Sequence, residues 1–277
     1  MSSPAVISWF ALKVRWKRVS TEGEFKVSRL VVGLPDMGFA GKQAVDYLVQ
    51  ELKPVLLFEA YSTHFPAQAV ITKEGLIEFL KCQLYGWKNP GGNGDLLILT
   101  GNAQPLSPEG QYVFSREVLE KAEAFGVKEV YSLSGYLVEF RPPEKEPTIY
   151  TVATDPVFLS ELKSRFALST LERGTVEGVQ GLIVGEAALK GLKGACLLAE
   201  TLGYSTPSGR PIVDAKASKA LLKVLTAILG VEVNLSGLER QAALTEEFME
   251  RVAQLEQRVL EQVLRAGRPP REKQYYV

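Results

Sequence analysis

The sequence predicts an α/β protein built around a mainly parallel sheet. Apolar runs of strand length alternate with stretches whose apolar residues recur at helical spacing, an alternation typical of βαβ units. Two helix starts carry a capping residue followed by proline, at Ser107-Pro108 and at Asp155-Pro156. Hydrophobic residues make up 46% of the 277 residues and charged residues 23%, as in a globular chain.

The individual elements follow from local patterns of apolar residues and turn residues. In chain order, we predict strands 6–14 and 26–34 around a turn at Gly23, a helix over 42–52, a strand over 55–60, a hairpin of 65–72 with 76–84, a strand over 95–100, a helix from 107 to 126, strands 127–133 and 149–153, helices 156–166 and 179–189, a strand over 195–199 and a helix over 215–229. The hairpin adds an antiparallel part to the parallel sheet.

The chain after Leu235 has a different pattern. Ser236 and Glu239 form a capping box, and the helical pattern then continues to Ala266. A helix of this length spans roughly 45 Å, which is long for a helix inside a domain. We therefore divide the chain into an α/β domain at 1–235 and a second part at 236–277, consisting of a long amphipathic helix and a disordered tail.

The long helix carries an apolar stripe that must be buried against another surface. Within it, Phe248, Val252, Leu255 and Val259 keep a 4-3-4 spacing that fits a short helical bundle. The stripe packs either on the parent domain or on a neighbouring subunit, and in the second case these four residues form the oligomer interface.

The tail ends in Tyr275-Tyr276-Val277, after Gly267 and the Pro269-Pro270 pair have stopped the helix. Disordered tails are poor in aromatic residues, so two tyrosines at this position indicate that the tail packs on a surface. They either fold back on their own protein or bind another one. An apolar anchor, a phenol and a terminal carboxylate together form a small plug suited to a protein pocket.

Composition argues against several classes of partner and location. Lysine plus arginine equals aspartate plus glutamate at 32 each, so no global charge favours nucleic acid or an anionic membrane. No apolar run approaches the roughly 20 residues of a membrane span. With two cysteines, Cys82 and Cys196, and no secretory signal pattern, we expect a cytoplasmic protein without a disulfide framework.

The loop 33–41 lies between a strand and a helix, where phosphate-binding loops occur. It matches neither common fingerprint, because Phe39 stands where a P-loop has lysine and Pro35 where the dinucleotide pattern has glycine. We expect Gly33, Gly38 and Gly41 to serve tight turns. The alternative is a small-molecule-binding enzyme that uses this loop together with the polar loop 100–104, at the edge of the sheet where α/β proteins bind ligands.

No catalytic, metal or cofactor site emerges from the remaining polar residues. His64 is the single histidine and stands without a nucleophile motif. Five carboxylates near predicted strand or helix ends could in principle supply an acid/base pair, but the sequence joins no two of them: Glu59, Asp95, Glu109, Glu200 and Asp214. Glu109 and Asp214 are better explained as first-turn or capping residues.

Several loops resemble one family in order and spacing. The matching stretches are Val32-Gly-Leu-Pro-Asp-Met-Gly-Phe-Ala-Gly-Lys42 leading into Asp46-Tyr47-Leu48, Tyr61-Ser-Thr-His-Phe-Pro66, Leu99-Thr-Gly-Asn-Ala-Gln-Pro105 with Ser107-Pro-Glu-Gly-Gln-Tyr112, and Cys196-Leu-Leu-Ala-Glu-Thr-Leu-Gly-Tyr204. Over about residues 26–240 the chain resembles the proteasome assembly chaperones, a family that includes the second member of the eukaryotic pair and its archaeal homologues. Asp36, Met37, His64 and Leu202 depart from the commoner family pattern, which further weakens any small-molecule site.

The resemblance implies a three-layer fold of the phosphorylase/hydrolase-like kind, no established catalysis, self-association, and binding to the core proteasome or its α-subunits. Family members that act on the proteasome carry a C-terminal hydrophobic-tyrosine-any motif, which Tyr275, Tyr276 and Val277 match. In that mode the tail enters a pocket between α-subunits, where a lysine pairs with its carboxylate. We thus expect an ATP-independent proteasome chaperone or activator, preferably a homotetramer, although a dimer or pentamer fits the same stripe.

Overall fold

A nine-stranded mixed sheet with helices on both faces forms the body of the protein. The computed structural model describes residues 14–21, 25–92, 94–142, 144–205, 209 and 211–265, and at 249, 250, 252–257, 259–261 and 263–265 it describes the backbone alone. The strands are β1 (Val14–Arg18), β2 (Val27–Gly33), β3 (Val55–Ser62), β4 (Ala69–Ile71), β5 (Ile77–Phe79), β6 (Cys82–Trp87), β7 (Asp95–Gly101), β8 (Glu129–Leu137), β9 (Ile149–Ala153), β10 (Ser169–Thr170) and β11 (Lys193–Thr201). The helices are α1 (Ala40–Leu52), α2 (Pro108–Glu123), α3 (Pro156–Phe166), α4 (Gly178–Leu189), α5 (Ala215–Leu229) and α6 (Ser236–Arg265).

The centre of the sheet is parallel, as predicted. The strand order is β1-β3-β6-β7-β2-β8-β11-β9-β10, and the four strands β7, β2, β8 and β11 run in one direction. Antiparallel pairings flank this centre: β7 with β6, β6 with β3 and β3 with β1 on one side, and β11 with β9 on the other. The loops that follow the four parallel strands therefore meet at one edge of the sheet, called here the carboxyl edge.

Two apolar cores lie on the two faces of the sheet. Alternate residues of each central strand point to opposite faces, so Val31 of β2 enters one core while its neighbours Leu30 and Val32 enter the other. Helices α2 and α4 cover the first core, and α1, α3 and α5 cover the second. The result is a three-layer α/β/α arrangement.

The predicted helix starts are confirmed in atomic detail. The Ser107 side chain accepts a hydrogen bond from the backbone N–H of Gly110 at 3.1 Å, and Asp155 accepts one from Phe158 at 2.8 Å. Each cap is followed by a proline in the first turn, where the missing N–H costs nothing. These starts depend on local chemistry alone, which is why the sequence predicts them well.

The first strand differs from its prediction in both position and partner. The structure has β1 at Val14–Arg18, whereas the predicted strand 6–14 overlaps it only at Val14; residues 6–13 lie outside the described part of the chain. β1 pairs with β3 and not with β2, so the two strands form no hairpin. Val14–Arg18 contains charged residues, so a search for runs of apolar residues does not find this strand. Such charges are common on edge strands.

The predicted strand 76–84 is in fact two strands. β5 pairs with β4 in a separate two-stranded sheet, while β6 enters the main sheet between β3 and β7. The chain breaks at Leu80, which is buried, and Lys81, whose ammonium pairs with Glu59 at 2.8 Å. Apolar residues on both sides of this break make the two strands look continuous in the sequence.

The first turns of α6 pack on the domain's own helices. Leu238 is fully buried in the second core, and such burial contributes about 1.5–3 kcal/mol. The Tyr47 hydroxyl of α1 donates to the carbonyl of Asn234 at 2.8 Å and accepts from the N–H of Gly237 at 3.2 Å. The helix begins one residue earlier than a capping box at Ser236 requires, because the carbonyl of Leu235 already accepts from the N–H of Glu239.

The polar contacts fix the direction of α6. Gln241 accepts from Gln43, one turn before Tyr47 on α1, and Glu246 pairs at 2.7 Å with Lys216 in the first turn of α5. Because α1 and α5 both begin at the carboxyl edge, α6 runs towards that edge. It continues 19 residues past Glu246, or about 28 Å. No helix in the described part of the chain is both long and apolar enough to cross a membrane.

We predict that Gly41→Ala destabilises the protein by about 3 kcal/mol or more. A Cβ at Gly41 would lie 2.1 Å from the backbone oxygen of Leu133, and neither α1 nor β8 can move away without disturbing the core. Gly185→Ala is the matched control, because Gly185 is an exposed glycine of α4 with no atom within 4 Å of an added Cβ. Its alanine should stabilise α4 by up to about 1 kcal/mol. Urea unfolding midpoints measure both changes, and equal midpoints would contradict the close contact.

Candidate functional site at the carboxyl edge

The glycine loop (residues 33–41) crosses the carboxyl edge in close contact with β8 and β11. Gly38 has a φ of 61°, and a Cβ there would lie 2.4 Å from the Thr201 hydroxyl oxygen. A Cβ at Gly135 of β8 would lie 2.1 Å from the carbonyl oxygen of Met37. The predicted tight-turn role is confirmed for Gly38, the glycine of this loop with a positive φ, and a side chain there or at Gly135 would separate the loop from the sheet.

The carboxylate of Asp36 occupies the place of an anion at the start of α1. Its Oδ2 accepts hydrogen bonds from the N–H groups of Gly41 (3.0 Å) and Gly135 (2.6 Å), and its Oδ1 accepts one from Lys42 (3.2 Å). Asp36 as a residue is partly exposed, but its carboxylate lies inside. This burial raises the pKa of Asp36 to about 7, against the opposing effect of the three hydrogen bonds and the Lys42 ammonium.

Two glutamines join the glycine loop to the elements beside it. Gln104, in the predicted polar loop 100–104, donates to the carbonyl of Pro35 at 2.6 Å and accepts from the N–H of Val179 at 3.1 Å. The buried Gln180 donates to the carbonyl of Leu34 at 3.0 Å. Loop 100–104 and the N-terminus of α4 are thus bonded to the glycine loop, and these polar groups serve the protein's own closure.

A third set of contacts holds the far end of the loop. Asp214 caps α5 by accepting from Ala217 at 2.9 Å, and its backbone N–H donates to the carbonyl of Gly38 at 2.8 Å. The same carboxylate accepts from Thr201 at 3.0 Å and pairs with the buried Arg141 at 3.3 Å. The capping role predicted for Asp214 is confirmed.

Three of the remaining candidate carboxylates lie apart, each with its own donors. Glu59 accepts from Lys81, Lys17 and Tyr61; burial works against these contacts, but together they lower its pKa to about 2. Asp95 accepts from the N–H groups of Lys26 and Asn89, and Glu200 accepts from Thr148 and Tyr150. Glu109 lies in the first turn of α2, as predicted. The structure brings no two of these carboxylates together as an acid/base pair.

His64 packs against the first turn of α2. Its Nδ1 lies 2.7 Å from the hydroxyl oxygen of Ser107, which also caps the helix, and a Cβ at Gly110 would lie 2.4 Å from the Cβ of His64. Because Ser107 is engaged as the cap of α2, the contact fixes the loop before this helix. This geometry gives His64 a structural role.

The two cysteines and the potential metal ligands form no site among the described residues. Cys82 and Cys196 are buried and unpaired with each other, and burial raises the pKa of the Cys196 thiol to about 12 and that of Cys82 further. Among the residues that the structure describes, His, Cys, Asp and Glu side chains nowhere gather in a group of three that could hold a metal ion.

The predicted partner-binding residues Tyr275, Tyr276 and Val277 lie outside the described residues. Of the four predicted interface residues, Phe248 is 46% exposed on α6. For Val252, Leu255 and Val259 the structure describes the backbone alone. Both sets stay predictions.

Local sequence patterns do not reveal the roles of Asp36 and of the two glutamines. In the sequence, Asp36 stands out only as a departure from the commoner family pattern, whereas in the structure its carboxylate takes the place of an anion. A carboxylate shortly before a helix start is a signal that could have suggested this. The bonds to Gly135, Val179 and Leu34 cross between distant parts of the chain, and no local pattern announces them.

The fold and its edge thus define a three-layer α/β protein in which side chains of the protein itself bond the loops at the carboxyl edge. Residues 30–253 match the model of the PAC2 family, so the chain belongs to this family. The predicted relationship to proteasome assembly chaperones is confirmed. The match extends past residue 235 into α6, although the division of the chain at that point stays a prediction.

Solved structures agree with this assignment. The crystal structure of Pyrococcus furiosus PbaB, an archaeal proteasome activator, is similar with a TM-score of 0.79 and 32% identity, covering 87% of this chain and 99% of PbaB. Pyrococcus furiosus PbaA, an archaeal homolog of proteasome-assembly chaperone, shares the fold at a TM-score of 0.67 and 24% identity, over 86% of this chain and 96% of that one. An uncharacterized protein of Methanocaldococcus jannaschii is 29% identical over 263 residues, which are 95% of this chain and 96% of its own.

We predict that Asp36 makes the protein less stable as the pH rises from about 4 to about 7. Its native pKa of about 7 exceeds the ordinary 3.8, so in this window the native state holds a proton that the unfolded state has lost. Between pH 5 and pH 8 the free energy of unfolding should fall by roughly 2 to 3 kcal/mol from this group. Glu59, with its lowered pKa, acts only below this range.

The test compares urea unfolding of the wild type and of Asp36→Asn at pH 5 and pH 8. The asparagine oxygen can still accept from Gly41 and Gly135, but the side chain does not titrate. We expect the variant to lose this part of the pH dependence. The same slope in both proteins would show that Asp36 is ionised in the native state throughout this range.

Proposed function

We propose that this protein is an ATP-independent chaperone or activator that binds the core proteasome. The observation that carries the proposal is the similarity to PbaB, an archaeal proteasome activator, at 32% identity over 99% of that chain. Membership of the PAC2 family supports it. A cytoplasmic location is part of the same proposal, since core proteasomes work on intracellular proteins.

We infer that the C-terminal residues dock between neighbouring α-subunits. Tyr275 supplies an apolar anchor, the phenol of Tyr276 a hydrogen bond, and the carboxylate of Val277 a charge that a lysine can pair with. Arg265, Arg268, Arg271 and Lys273 precede this motif with a single Glu272 among them, so the segment is basic and suits an acidic surface.

The direction of α6 supports this mode of binding. Contacts to Gln43 and Lys216 aim the helix at the carboxyl edge, and about 28 Å of helix follow the last of them. Residues 267–277 add up to roughly 35 Å when extended. The motif can therefore reach a pocket well away from the body of its own domain.

We further propose that the chain forms a homo-oligomer, preferably a tetramer, through the α6 stripe with Phe248, Val252, Leu255 and Val259. Phe248 is 46% exposed in the single chain, which supports a partner surface there. An oligomer presents several tails at once, so weak plugs add through effective concentration. The phosphorylase/hydrolase-like classification of the fold belongs to the same proposal.

The alternative of a small-molecule enzyme at loops 33–41 and 100–104 gains no support from the geometry. The N–H groups of Gly41 and Lys42 are bonded to Asp36, and Gln104 is bonded across the two loops. We therefore propose no catalytic residue, cofactor or metal for this chain.

We predict that deleting Tyr275 to Val277 abolishes binding to purified archaeal core proteasome, while fold and oligomeric mass stay unchanged. Tyr276→Phe removes one hydrogen bond, worth about 0.5–1.5 kcal/mol, and should weaken binding by up to roughly tenfold. Gln274→Ala is the matched control, since it alters the tail just before the motif, and should bind as the wild type does. Surface plasmon resonance measures the affinities, and light scattering the mass.

Retained affinity in the deletion variant would refute the docking mode while leaving family and fold intact. The same proteins then separate the two activities. An activator accelerates peptide hydrolysis by the mature particle, whereas an assembly chaperone accelerates formation of that particle from its subunits. The deletion should abolish whichever effect the wild type shows.

A further inference from the structure

The β4–β5 hairpin carries an apolar face that the described chain leaves open. Ile71, Ile77 and Phe79 are 75%, 76% and 74% exposed, and we call these three side chains the hairpin face. They lie on one side because Ile71 pairs with Ile77 and Ala69 with Phe79, and residues two apart on a strand share a side. Three large apolar side chains exposed together are typical of a surface that binds another segment or a partner.

The hairpin itself needs such a cover. A single two-stranded hairpin is at best marginally stable in water, and β4 and β5 have only three residues each. The opposite side of the hairpin carries Glu78, which pairs with Lys81 at 3.1 Å and ties that side to the body. The hairpin face is the side without such an attachment.

The register of the sheet places the start of the described chain beside the base of this hairpin. The hairpin segment leaves the sheet after Ser62 and returns at Cys82, which lies opposite Ala60. Val14, the first residue of β1, lies opposite Ser62. Val14 therefore lies at the same end of the sheet as the base of the hairpin, on the strand next to β3 and about 4.8 Å away.

The segment that precedes β1 has the composition to cover the face. Residues 6–12 read Val-Ile-Ser-Trp-Phe-Ala-Leu, with no charge and a single polar side chain. Extended, these seven residues span roughly 23 Å, more than twice the roughly 10 Å of a three-residue strand. The segment is long enough to cross the hairpin from its base to its turn.

We propose that residues 6–12 of the same chain pack on the hairpin face and bury Ile71, Ile77 and Phe79. One residue, Lys13, separates the segment from β1, so its effective concentration at the hairpin is high and little chain entropy is lost. A second copy of the chain or a foreign apolar peptide must overcome the full cost of association to reach the same face. This inference is independent of the proposed proteasome binding.

Hydrogen exchange of the full-length chain tests the proposal. The test variant is Trp9→Asp with Phe10→Asp, because adjacent residues of an extended segment point to opposite sides and one of the two must face the hairpin. The control is Ser2→Asp with Ser3→Asp, which adds the same charge to the same end of the chain outside the apolar run. Exchange at β2 monitors the integrity of the core.

In the wild type and the control, we expect amides of 6–12 and of the hairpin to exchange at least tenfold more slowly than in the test variant. Amides of β2 should be unchanged in all three. Exchange of 6–12 in the wild type at the rate of an unfolded peptide would overturn the proposal. Hairpin protection that survives Trp9→Asp with Phe10→Asp would also overturn it. Protection that is lost on dilution, together with a fall in the oligomeric mass of the protein, would overturn it as well, because it would assign the face to a second copy of the chain.

Discussion

The closure of the glycine loop over β8 and β11 is the constraint on which the other parts of the carboxyl edge depend. Gly38 and Gly41 bring the backbone of the loop against Thr201 and Leu133 at distances that no Cβ permits. Asp36 then binds the start of α1 and the backbone of β8 with one carboxylate. Because α1 packs beside α5, and α6 lies on both, this closure sets the position of all three helices on that face.

The contacts of the first turns of α6 determine the direction in which the whole helix runs. The hydroxyl of Tyr47 fixes the beginning of the helix, and Lys216 fixes a point about three turns later, near the carboxyl edge. Two fixed points define the axis of a rigid helix, so the following residues leave the body along that line up to Arg265. In the docking mode proposed above, a plug carried beyond such a helix would sample a smaller volume than one on a flexible linker of equal length, which would lower the entropy cost of docking.

Sequence predicts the parts of this protein that local chemistry decides. Ser107 and Asp155 cap helices through bonds to residues three positions away, and the apolar runs of the central strands are long enough to recognise. The break at Leu80 and the pairing of β1 with β3 depend on partners far along the chain, so no window of neighbouring residues contains them. The same holds for the candidate site, where Asp36 meets Gly135 across 99 positions.

The carboxyl edge, where α/β sheets commonly bind ligands, has its loops bonded to one another by side chains of the protein itself. In ligand-binding relatives of such folds, an anion at a helix start contributes its binding energy only when it is present. Here Asp36 takes that place within the chain, and Gln104 and Gln180 bond the neighbouring loops. The start of α1 is therefore bonded to a carboxylate of the same chain. The same closure also fixes α1 and α5, the two helices on which the first turns of α6 pack.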